Sequence, residues 1–172
     1  MRLLFELDTK DYDINGVGFV RHSARCIHIK NGLVAMVHST QYDYYKFPGG
    51  GIEQNESKEQ AMIRETQEEA GLIVVAESIR EYGYVHRIQK SDYDDADYFV
   101  QDNYYFFCDV EDTVKPQMLD DYEADEKFTL EYVTPDKAIY VNRNVNHGAT
   151  DQTMLERDAR VLELLKSEGY FN

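Results

Sequence analysis

Apolar and polar positions follow one another along this chain in strand-length runs, broken by glycine, proline and asparagine. Ser23–Ile29 and Leu33–His38 are apolar-rich runs flanking Lys30-Asn31-Gly32, and Asn-Gly supplies the positive φ angles of a tight turn, which predicts a β-hairpin. The aromatic run Tyr42–Phe47 stops at Pro48, and Gly49-Gly50-Gly51 predicts a loop. The period then lengthens. Ser57 and Gln60 have capping-box spacing and Gly71 stands at a C-terminal cap position, so Ser57–Ala70 is predicted to be a helix. Leu72–Arg80, Tyr82–Ile88, Tyr98–Val110 and Phe128–Val133, rich in β-branched and aromatic residues, predict the remaining strands of a mixed β-sheet. Over 150–167, Met154, Ala159, Val161, Leu162 and Leu165 form an amphipathic stripe closed by Gly169, a helix expected to pack on the sheet. The fold class is α/β.

The length of 172 residues with 42% hydrophobic content suits one buried core, and no repeat or linker divides the chain, so residues 1–172 read as a single domain. Cys26 and Cys108 lie in strand-like runs without CxxC spacing and read as buried free thiols. Met1–Lys10 lacks a basic start leading into an apolar stretch, and no run is long enough to span a membrane, so a cytoplasmic location without membrane contact is expected.

Charge narrows the partners. A net charge of −15 argues against polymeric nucleic acid, whose binding rests on lysine and arginine neutralising phosphates. A short polyphosphate remains compatible, because a divalent cation can bridge carboxylates to phosphate oxygens. From Ser91 to Glu126 acidic residues dominate, with Lys115 the single lysine, so Asp92–Asp97 and Leu119–Glu126 are expected to be solvated loops.

On the predicted helix, Glu65, Glu68 and Glu69 fall within an arc of roughly 100°, since spacings of three and four return to one face. Met62, Ile63 and Ala70 flank that arc and can bury against the sheet, while Arg64 can pair with Glu68 one turn on. A solvated acidic face is the ordinary meaning of such a helix. Crowded like charges are nonetheless destabilising unless neutralised, and clustered oxygen ligands are what Mg²⁺ and Mn²⁺ select.

Taken together, Gly50, Glu56 after five residues, and Arg64-Glu65-Thr66-Gln67-Glu68-Glu69-Ala70-Gly71-Leu72 after seven more resemble the Nudix box, G-x5-E-x7-R-E-U-x-E-E-x-G-U, over residues 50–72. The departure is Thr66, where the pattern has an aliphatic residue; threonine is close to valine in size, so a small packing penalty is expected. Asn55 stands where glycine is frequent and tolerates a left-handed turn. The resemblance implies a Nudix-like α/β/α sandwich. It further implies metal ligation by Glu65, Glu68 and Glu69, orientation of one of them by Arg64, and a loop-steadying or metal-assisting role for Glu56. It also implies hydrolysis of a phosphoanhydride in a small nucleotide-like diphosphate, such as a nucleoside triphosphate or ADP-ribose, with Mg²⁺ or Mn²⁺ as cofactor. A homodimer is compatible with this reading.

Glu68 and Glu69 are the first candidates for general base, and in some members a later loop adds a carboxylate, for which Glu123 and Glu126 are the candidates here. Phosphate contacts are expected from Gly49, Gly50 and Gly51, whose amides can approach an anion, and from Arg25 and Lys46. Tyr44, Tyr45, Phe47, Tyr82 and Tyr84 suit either base stacking or core packing, the latter being commoner. The five histidines show no ligand spacing. A catalytically idle nucleotide-sensing or protein-docking domain is the competing reading, and three crowded carboxylates speak against it.

Overall fold

A computed structural model describes residues 1–172. In chain order it contains β1 (Leu3–Asp8), β2 (Gly18–Val20), β3 (Ser23–Ile27), β4 (Ile29–Lys30), β5 (Leu33–Ser39), β6 (Tyr44–Lys46), β7 (Gly49–Gly51) and α1 (Lys58–Ala70). There follow β8 (Leu72–Val74), β9 (Arg80–Lys90), β10 (Tyr98–Phe107), β11 (Val110–Val114), α2 (Asp121–Asp125), β12 (Phe128–Val133), α3 (Pro135–Asn144) and α4 (Gln152–Ser167). A six-stranded mixed sheet runs β1-β9-β10-β3-β7, with β2 also on β10; β12, β5, β4 and β6 form a four-stranded sheet, and β8 pairs with β11.

Strand β3 shows why the layers stack as they do. All five of its residues are buried, as befits a strand covered on both faces. Ala24 and Cys26 pack against Ala61 and Met62 of α1. Ile27, on the opposite side, joins a cluster with Met36, Phe47, Tyr105 and the α4 residues Val161, Leu162 and Leu165. Helices thus cover the sheets from both sides, giving an α/β/α sandwich.

Helix α1 ends as its sequence dictates. Ser57 and Gln60 form a reciprocal capping box, and Gly71 closes the helix at φ 69°. Asn55 takes φ 67° in the preceding loop. The Leu72–Arg80 run is shorter than expected, breaking after Val74 into a 3₁₀ turn at Ala76–Ser78.

Three expectations are corrected. The hairpin exists only at its tip, where Ile29 and Lys30 pair with Val34 and Leu33 around Asn31 and Gly32; Ser23–Ile27 instead pairs with β10 and β7. Gly49–Gly51 is strand β7, antiparallel to β3, because a Cβ at Gly49 would collide with the Ala24 carbonyl and only glycine fits that approach. Cys26 and Cys108 are paired as a disulfide: Cys26 lies opposite Phe106, the Cys108 amide donates to Ile27 at 3.1 Å, and the Cα atoms stand 6.5 Å apart, within bridging range. They are therefore not the free thiols expected. No helix is long and apolar enough to cross a membrane.

Candidate active site

Strand β7 and helix α1 meet residue by residue. The Gly49 amide donates to Glu69 Oε2 at 3.0 Å, the Glu65 carboxylate occupies the space a Cβ on Gly50 would fill, and the Gly51 carbonyl accepts from Arg64 Nη2 at 3.1 Å. The glycines thus make room for charged helix side chains, lying against the Arg64–Glu69 stretch of α1 rather than at its N-terminus.

Arg64 is the hub of this face. Its guanidinium donates to Glu56 Oε1 at 2.8 Å and Oε2 at 2.9 Å, to Glu65 Oε1 at 2.8 Å and to Glu68 Oε2 at 3.0 Å. Glu56, in turn, accepts from the Glu53 amide at 3.0 Å, so it ties the loop to the helix. Hydrogen bonding from Arg64 holds the Glu56 carboxyl below its ordinary pKa.

The carboxylates that converge are Glu65, Glu69 and Glu123, each bringing an oxygen to within 4.8 Å of the others. Glu68 and Glu56 stay with Arg64 outside this trio. The expected solvated loop at Leu119–Glu126 is corrected here: it folds into α2, and Glu123, with 4% of its surface exposed, points inward. The reason is local, since Asp120 and Glu123 form a capping box and the Tyr122 hydroxyl donates to Glu123 Oε1 at 3.0 Å. Glu126 accepts from the Tyr44 hydroxyl at 2.6 Å and stands at the cavity wall.

Burial pushes Glu69 up to about 7 against the opposing pull of Lys46 and Arg25. Burial likewise raises Glu65, opposed by Arg64. Lys46 forms a buried ion pair with Glu69. Three gathered carboxylates in a largely desolvated site fit a hard divalent cation such as Mg²⁺ or Mn²⁺.

Beside this cluster lies a cavity of about 390 Å³, lined by Gly49, Gly50 and Gly51 and by the cations Arg21, Arg25, Lys46 and Arg87. Arg25 donates to the Phe47 and Gly49 carbonyls at 3.1 and 2.7 Å. The Nε atoms of Arg25 and Arg87 are buried without a partner. Of the expected aromatics, Tyr45, Phe47 and Tyr82 are core, while Tyr44 reaches the cavity. Tyr93, Phe99, Tyr122 and Phe128 supply the other aromatic walls.

Arg21, Arg87, Phe99 and Gln101 escaped the sequence reading. Period-two alternation places Phe99 with Gln101 and Ser23 with Arg25, yet nothing local shows that β3 lies beside β10 in parallel.

This layering, with a carboxylate-bearing helix crossing a glycine strand, defines a Nudix-type sandwich. The chain belongs to that family: residues 20–156 match the NUDIX domain. Among solved structures, the NUDIX hydrolase from Nitrosomonas europaea aligns with TM-score 0.55 at 14% identity, covering 83% of this chain and 90% of its own. The MutT protein from Bacillus halodurans aligns with TM-score 0.54 at 18% identity, covering 79% and 80%. These likenesses support the fold. An 8-oxo-dGTP diphosphatase from Proteus vulgaris is 36% identical over 59 residues, 28% of this chain and 53% of that protein. The chain thus spans about half the length of that curated relative.

Proposed function

We propose that this chain is a metal-dependent pyrophosphohydrolase that cleaves a phosphoanhydride in a nucleoside diphosphate linked to a further group. The observation that carries the reading is the convergence of Glu65, Glu69 and Glu123 beside a cavity lined by four cations. An acidic cluster alone would repel polyphosphate; cations alone would bind it without activating water. Family membership and the partial likeness to an 8-oxo-dGTP diphosphatase support the same class of reaction.

Bound at Glu65, Glu69 and Glu123, Mg²⁺ or Mn²⁺ would supply polarised phosphate oxygens and a water of lowered pKa. The protein's own groups do the rest. Arg25, Lys46 and the exposed Arg21 face the cavity and offset phosphate charge. Arg64 locks Glu65 in place and holds Glu68 by Oε2 only, leaving Glu68 Oε1 free to take a proton from water. Glu69 is less suited to that role, since Lys46 and the Gly49 amide occupy both of its oxygens. Glu56 acts through Arg64.

The test is incubation with a panel of nucleoside triphosphates, ADP-ribose and dinucleoside polyphosphates in Mg²⁺ or Mn²⁺, with products followed by chromatography. Turnover that EDTA abolishes and that Glu69→Gln loses is the expected result; turnover persisting in EDTA would refute the mechanism.

A further inference from the structure

The end of the cavity farthest from the carboxylates is built from cross-strand neighbours: Arg87 faces Gln101, and Gln89 faces Phe99, across the β9–β10 ladder. Arg87 is buried and donates to Asp151 Oδ2 at 2.7 Å, Thr153 Oγ1 at 3.1 Å and Gln101 Oε1 at 3.1 Å. Asp151 is itself fixed as the N-cap of α4, accepting from the Thr153 amide. A guanidinium carries donors only, so it dictates which way round the Gln101 amide lies. The carbonyl oxygen is consumed by Arg87; the Nε2 amino group, which meets no protein acceptor, is left for the cavity. Phe99, two residues earlier on β10, lines the same end.

The spacing suits a nucleotide. Strands β7, β3, β10 and β9 are successive in the sheet, and three inter-strand steps amount to about 14 Å. That separates the glycine strand from Arg87 by the length of an extended nucleotide, from diphosphate to base edge.

Resting on the reading that this cavity holds a nucleoside diphosphate, we infer that Gln101 selects the base. Its amino group, turned to the cavity by Arg87, donates to an exocyclic carbonyl, so 6-oxopurines are accepted. A base with an amino group in that place sets donor against donor and leaves both unsatisfied, a penalty that discriminates more strongly than lost apolar contact. Gln101 is the specificity residue; Arg87 and Asp151 are positioning residues.

IMP and AMP provide the test, since they differ at the C6 substituent and at the N1 proton that accompanies it. Calorimetry of the metal-free protein is expected to show IMP bound roughly tenfold or more tightly than AMP. In Gln101→Glu one carboxylate oxygen keeps Arg87 and the other turns an acceptor to the cavity, so the preference should invert. In Gln101→Met the two affinities should agree within about threefold, and this variant carries the test should the first not fold. Equal affinities in wild type, no binding of either nucleotide, or a ratio unmoved in the variants would overturn the inference. Turnover of ITP and ATP with Mg²⁺ is measured in parallel. Selective binding without turnover refutes the hydrolase reading and leaves base selection standing; turnover with equal affinities does the reverse.

Discussion

The Lys46 ammonium is seated against the Glu69 carboxylate at the cavity wall, with both side chains buried. Glu69 is completed by the Gly49 amide, and Lys46 lies 4.5 Å from the centre of the Phe128 ring. A buried charge without its partner is far more costly than the intact pair is stabilising. The pair therefore fixes the Glu69 carboxylate in the position from which it is proposed to ligate metal.

Lys46→Met should lower stability by about 3 kcal/mol in EDTA. Because a divalent cation can then take over the neutralisation of Glu69, Mg²⁺ or Mn²⁺ should raise the urea midpoint more in the variant than in wild type. Equal shifts would show that Lys46 and the metal do not share Glu69.

Arg64→Lys replaces a planar fork that serves Glu56, Glu65, Glu68 and Gly51 at once with a single ammonium. Loss of ligand orientation of this kind costs about 10–100-fold in activity or metal affinity. Steady-state kcat/KM against a nucleotide, read beside a thermal melt, should show that fall with little change in Tm; a Tm loss large enough to explain the fall would assign Arg64 to the fold alone.

Helix α1 was legible because every signal for it is local: Ser57 and Gln60 cap one end, Gly71 the other, and the glutamates share a face by periodicity. What escaped depends on partners distant in sequence. Gly49–Gly51 reads as a loop until β3 lies beside it, and Cys26 meets Cys108 only through the β3–β10 ladder. The same holds for the site. Glu65 and Glu69 belong to one helix, whereas Glu123, named from the sequence only beside Glu126 as a candidate extra carboxylate, enters from α2, whose acidic composition looks solvated and hides its capping box and its inward-facing side chain. Strand β1 and helix α3 also went unread; β1 pairs with β9 far along the chain, Glu6 lying opposite His86.

Acid should loosen the packing of α4. Burial works to raise the pKa of Asp158, but Arg157, with hydrogen bonds from its guanidinium and from Tyr105, holds the carboxyl below its ordinary value. A depressed folded pKa contributes stability that is present above the unfolded value and lost as pH falls through the folded one. Wild-type stability should therefore decline below about pH 4. Asp158→Asn should be less stable at neutral pH by about 3 kcal/mol and should lack this part of the decline. Parallel curves of urea midpoint against pH for the two proteins would contradict the assignment.

The Cys26–Cys108 link closes a separation of 82 residues between β3 and the segment after β10. Constraining so long a segment of the unfolded chain is worth about 2–4 kcal/mol. Reduction with a non-thiol phosphine, or the double variant Cys26→Ser/Cys108→Ser, should lower Tm accordingly. Mass spectrometry after alkylation reports whether the link is formed, and an unchanged Tm on its loss would remove its stabilising role.

Glu65, Glu69 and Glu123 are expected to hold a divalent cation together. Titration of Mn²⁺ into the protein, followed by electron paramagnetic resonance, measures this without any substrate. The predicted result is saturable binding that falls sharply in both Glu69→Gln and Glu123→Gln, though the latter lies outside the Nudix box. Wild-type affinity retained in Glu123→Gln and Glu69→Gln alike would contradict it.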